Sequence, residues 1–170
     1  MIRLAGTILL SGSAVILGGS AARSTRRRVK DLQLLGAGLR AISRELSYRL
    51  APLQELLQCA AEQTEGRVQR FFSQCAAEAE QLNGRTFRSV WKLAEESSRM
   101  QLDGEDRSCL EALGCVLGRY DCQSQLQALN TAIDRLEERR KSAEKNSRQA
   151  ETLYTVLGLT AGAFLLILLV

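Results

Sequence analysis

The chain has 170 residues, a net charge of +4, a single proline and no histidine, so it lacks the commonest metal ligand and the commonest general base. The surplus charge is local: Arg23, Arg26, Arg27, Arg28 and Lys30 follow one apolar run, Arg139, Arg140, Lys141, Lys145 and Arg148 precede another, and the stretch from Asp31 to Leu136 nets −3. A basic band beside a hydrophobic segment is what the positive-inside rule predicts, and it implies no nucleic acid.

The first run, Leu4 to Ala22, is uncharged. Two readings compete for it: a retained transmembrane helix, or a leader cut near Ser20, Ala21 and Ala22 that would release an exported helical binding protein. A leader carries its positive end ahead of the apolar run; here the five basic residues Arg23, Arg26, Arg27, Arg28 and Lys30 lie behind it, which favours retention with these residues at the cytoplasmic membrane interface.

Val29, Leu32, Leu35, Leu39, Ile42 and Leu46 then recur at three- and four-residue steps, the stripe of an amphipathic helix. Gly36 and Gly38 either weaken that helix or mark the close approach of another. Pro52 suits the first turn of a second helix carrying Leu53, Leu56, Leu57 and Ala60, with Gly66 as its stop. A third carries Val68, Phe71, Phe72, Cys75, Ala76, Ala79 and Leu82 and ends at Asn83-Gly84. Thr86 caps a fourth with Phe87, Val90, Trp91 and Ala94, on which Trp91, the only tryptophan, reads as core. Asp103 and Asp106 open a fifth with Leu110, Leu113 and Leu117, closed by Gly118.

Asp121 is placed to cap the longest helix, on which Leu126, Leu129, Ile133 and Leu136 form a seam that Arg140, Ala143, Ser147 and Ala150 continue. With neither Pro nor Gly between Asp121 and Leu157, the helix should run unbroken into "LYTVLGLTAGAFLLILLV", Leu153 to Val170. At 1.5 Å per residue, those about 18 residues reach about 27 Å, close to the hydrocarbon thickness of a bilayer. Gly158 and Gly162 form a small-xxx-small pair suited to helix packing in the membrane. The expected architecture is therefore all-α: an antiparallel helical bundle over 23–136, a charged helical stalk over 137–152, and transmembrane helices over 1–22 and 153–170. The basic flanks put residues 23–152 in the cytoplasm.

Chemistry has little to work with. No Gly-rich loop precedes a Lys-Ser or Lys-Thr, and the neighbouring carboxylates Glu95 and Glu96, or Glu137 and Glu138, diverge by about 100° around a helix. Cys59, Cys75, Cys109, Cys115 and Cys122 have neither C-x-x-C spacing nor a histidine base, so they read as buried reduced thiols, with no metal site and no nucleophile. The chain is expected to be no enzyme and to need no cofactor.

Several segments carry a family likeness: the apolar N-terminus with an Arg-rich turn, "RELSYRLAPLQELL" with Pro52 and Leu53, "FRSVWKLAEE", "LGRYDCQSQLQAL" with Gly118, Asp121 and Gln125, and the charged helix leading to the last apolar run. In that order and spacing the chain resembles the stage III sporulation protein AB family. The resemblance implies a bundle similar to the cytoplasmic F-domain of type II secretion platforms. It also implies a place in the mother-cell membrane around the forespore, in a channel complex beside a secretion-type ATPase and other stage III membrane subunits. Secretion platforms carry two such domains and this chain has room for one, so self-association would have to supply the second.

Overall fold

The computed structural model describes the backbone of residues 2–49, 51–80, 84–118 and 121–169, and side chains within 23–149 together with that of Thr160. Among them there are six helices: α1 (Ile2–Arg49), α2 (Leu53–Glu62), α3 (Gly66–Ala79), α4 (Phe87–Ser98), α5 (Gly104–Val116) and α6 (Cys122–Leu169). They fall into two units, one of residues 28–141 and the other of residues 1–27 with 142–170. The Arg-rich segment after Ala22, expected as a turn, is continuous helix within α1, because nothing in it breaks backbone hydrogen bonding.

The unit 28–141 is built on one apolar core. Leu32, Leu35, Leu39, Ile42 and Leu46 of α1 are buried, as their spacing predicts. Around them pack Leu56, Leu57 and Ala60 of α2, Val68, Phe71, Phe72 and Cys75 of α3, and Leu110 and Leu113 of α5. Trp91 is the centre of the aromatic part, 4.7 Å from Phe71 edge-on and 5.7 Å from Phe87 between ring centroids. Its indole N–H donates to the Leu110 carbonyl at 2.8 Å, so the one polar atom of a buried ring is satisfied. Gly38 marks a close approach: a Cβ there would lie 2.4 Å from the Phe72 ring.

Helix ends follow local chemistry with two differences from expectation. Pro52 is the N-cap of α2 and not its first residue, its carbonyl accepting from the Leu56 amide at 3.1 Å. Gly66 does not stop α2, which ends at Glu62; it opens α3 with a φ of +64°, so its freedom serves the start of the next helix. Asp103 and Asp106 form a reciprocal capping box on α5. On α6 the inward seam is Leu129, Ala132 and Leu136, with Ile133 only partly buried, because the helix turns the smaller Ala132 toward its neighbours. In the other unit Ala143 and Ser147 are buried, so the expected stalk has a covered face of small side chains. The cysteines differ as well: only Cys75 is buried, and Cys59, Cys109, Cys115 and Cys122 are partly exposed free thiols.

Candidate functional site

The α1 stripe of Leu35, Leu39, Ile42 and Leu46, extended toward the N-terminus at the same spacing, lands on Asp31 and Arg28. The α6 seam of Leu129, Ala132 and Leu136, extended the other way, lands on Arg139. Charged residues at core positions must be paired, since an isolated ion loses its hydration there. The structure pairs them on the start of α5. The Asp106 carboxylate is fully buried and accepts from Arg28 Nε at 2.7 Å, Arg28 Nη2 at 3.1 Å, Arg139 Nε at 2.9 Å and its own capping partner, the Asp103 amide, at 3.1 Å. Arg139 also pairs with Asp103 and Glu105, and Arg28 with Asp103.

Burial by itself would raise the Asp106 pKa, but hydrogen bonds from Arg28, Arg139 and the Asp103 amide outweigh it and hold the carboxyl below the usual carboxylate range. Next to this cluster Asp31, 3% exposed, accepts from the Gln101 amide at 2.8 Å and pairs with Arg67 at 3.3 Å. Asp106 is therefore an ionised tie between the first helix, the last helix and α5. With its lone pairs occupied by two guanidinium groups and an amide, it has no free valence for acid–base work or metal binding. Among the described residues no group of three or more His, Cys, Asp or Glu is placed to hold a metal ion.

A second polar corner gathers residues singled out by the sequence. Gly118, at a φ of +75°, follows α5; its amide donates to Gln125 Oε1 at 3.3 Å, and a Cβ on it would come within 3.0 Å of Leu53 Cδ2. Asp121 accepts from the Ser124 amide at 3.0 Å and from its hydroxyl at 2.8 Å, capping α6. Leu53, Gly118 and Gln125 thus meet at one turn, with Pro52 and Asp121 as the N-terminal neighbours of α2 and α6. Trp91 is separate, in the core. Of the basic collar, Arg23, Arg26 and Arg27 are exposed, whereas Arg28 is drawn onto Asp106 and Lys30 pairs with Glu65 at 2.7 Å. Gly158 and Gly162 lie outside the residues whose packing is described. Among the described residues no helix is long and apolar enough to cross a membrane; the side chains of residues 1–22 and, Thr160 apart, 153–170, on which the transmembrane expectation rests, lie outside those described.

Sequence reasoning assigned Arg28 to a membrane collar and Asp106 to a helix start, and it missed that they meet. The available signal was positional: charges standing where an apolar stripe continues.

Fold and site together define an all-α bundle whose most elaborate polar feature is an ion-pair tie between helices and not a ligand pocket. The chain belongs to the stage III sporulation protein AB family, whose model matches residues 3–170. It is 26% identical over 173 residues to stage III sporulation protein AB of Bacillus subtilis (strain 168), covering 99% of each chain. Its fold is that of a solved structure of stage III sporulation protein AB, with a TM-score of 0.64 at 22% identity, over 72% of this chain and 97% of that one. Membership supports a role in sporulation.

Proposed function

We propose that the protein is a non-enzymatic membrane platform subunit of the mother cell–forespore channel. In this reading residues 1–22 and 153–170 are anchors in the mother-cell membrane surrounding the forespore. The bundle 23–136 and the charged segment 137–152 face the cytoplasm, where the bundle docks a secretion-type ATPase and neighbouring stage III subunits, and copies of the chain associate with one another. The observation that carries it is the pair of uncharged apolar runs, Leu4 to Ala22 and Leu153 to Val170, each bordered on its inner side by arginines and lysines, in a chain of this family. The Asp106 tie supports it, because a platform needs its first and last helices fixed to the part that receives the partner.

Alkaline carbonate extraction of sporulating cells tests the anchors: the full chain should stay with the membrane pellet, and release into the supernatant would end the reading. Docking is tested by co-purification with the ATPase in detergent. N-terminal sequencing of the mature chain should find no start at or after Ala22; such a start would replace the platform by an exported protein.

A further inference from the structure

We propose that the face formed by α1 and α2 is the surface through which two copies of this chain pair, side by side and parallel. The inference rests on the self-association in the preceding reading and names its surface.

Within the bundle α1 is mostly covered, and its solvent side carries Arg40, Arg44 and Tyr48 at four-residue steps. Tyr48 is 84% exposed; the other large hydrophobic residue exposed among the described ones is Leu93, on α4, at 46%. Neither Arg40 nor Arg44 joins an ion pair among the described residues, whereas most other arginines of the bundle do; within the chain the Arg40 charge is felt by Glu137 on α6, whose pKa is lowered first by its hydrogen bond from Arg140 and, more weakly, by Arg40. Tyrosine and arginine are the side chains enriched where interface energy concentrates.

The next helix carries an acidic strip. Only three positions separate the end of α1 at Arg49 from the start of α2 at Leu53, so α2 runs back along α1. It exposes Gln54, Glu55, Gln58 and Glu62 along a 520 Å³ groove toward α3. The partly exposed Cys59 sits at the seam between the strips: after burial, the influences on its thiol are Glu45, Arg44 and Glu62. Counting away from the link, Tyr48 and Glu55 lie near it, and Arg40 and Glu62 lie about 10–12 Å further along their helices at 1.5 Å per residue.

A two-fold axis parallel to these helices, passing between them, lays each α1 strip on the other copy's α2 strip. Arg40 then meets Glu62 and Tyr48 meets the Glu55 end of the groove, twice over, as an isologous contact requires. A two-fold across the helices would put arginine on arginine. The parallel arrangement also runs both copies' α1 in the same direction, as two chains held in one bilayer must. Exposed ion pairs each contribute little, so the contact is weak and sensitive to salt.

The test uses the full chain in detergent micelles at low salt, with a short bismaleimide as probe and light scattering for mass. A dimer should be trapped through Cys59, vanish in Cys59→Ser, and fall roughly tenfold in Arg40→Glu or in about 0.5 M salt. The double variant Arg40→Glu with Glu62→Arg restores complementarity within each pair and should recover the trapped dimer. Circular dichroism on each variant separates loss of contact from loss of fold. A dimer insensitive to Arg40→Glu, or trapped through Cys115 or Cys122 and not Cys59, overturns this face while leaving self-association intact; a monomer at every concentration overturns both. Neither result bears on membrane anchoring, which carbonate extraction reads independently.

Discussion

Asp106 is a single residue with three structural duties: it completes the capping box of α5, and it pairs with Arg28 and with Arg139, whose two positive charges it offsets together with Asp103. Replacing it by Asn keeps the shape and removes the charge that both arginines share. Asp106→Asn should therefore lower unfolding free energy by about 3 kcal/mol, the low end for breaking a buried pair because the arginines are 24% and 30% exposed. Urea denaturation of the detergent-solubilised chain checks this. Trp91→Ala should cost more, about 3–5 kcal/mol, from the cavity and the lost bond to the Leu110 carbonyl. Gly114→Ala acts on the same place from the other side, since its Cβ would lie 2.5 Å from Trp91 Cδ1 in a ring that has no room to yield.

The tie also fixes how stability varies with acid. The Asp106 pKa is lowered by folding, so its contribution is fully present above the unfolded value of about 3.9 and is lost as pH falls through the lower folded value. In that window the unfolded chain takes up a proton that the folded chain refuses. Chemical denaturation between neutral pH and about pH 3 should show an acid limb, and the limb should be shallower in Asp106→Asn. An equal slope in the two proteins would assign acid lability to other carboxylates.

At the level of helices, the informative comparison is between two backbone positions of the same hand. Arg99 closes α4 in the left-handed region at a φ of 55°, where a side chain is strained, and Gly118 follows α5 at +75°, where none is. Arg99→Gly should raise stability by roughly 1 kcal/mol and Gly118→Ala should lower it by at least as much, because the new methyl also presses on Leu53. Thermal melts of the two variants should shift in opposite directions.

These elements also show what a one-dimensional pattern can and cannot carry. The α1 stripe, the Thr86 and Asp103 caps, the stop at Gly118 and the unbroken α6 all depend on interactions within about four residues, and each was legible. Gly66 was assigned to the wrong helix because a positive φ signals a turn without saying which side of it the glycine serves. Ile133 and Ala132 were exchanged because the choice between two adjacent residues depends on which neighbour α6 meets. The Asp106 tie joins residues 78 and 33 positions apart, and no local rule connects them.

For the whole molecule, the proposed reading holds the chain at two points in one membrane, with the bundle on the arginine-rich side. A reporter fused after Lys30 should be active in the cytoplasm. Removal of Arg23, Arg26 and Arg27 together should weaken that orientation without unfolding the bundle, since these three lie outside the unit 28–141. Protease protection in spheroplasts measures the first effect and the urea midpoint the second.

The Asp106 carboxylate also dictates an order of events at the ribosome. Arg28 is synthesised before Asp106, but Arg139 follows it by 33 residues, a delay of roughly 2–7 s at bacterial elongation speeds. Until then the nascent bundle holds a half-compensated charge where its interior should close. Docking of the last helix, and not collapse of the earlier ones, is therefore the step expected to commit the newborn chain to its native form.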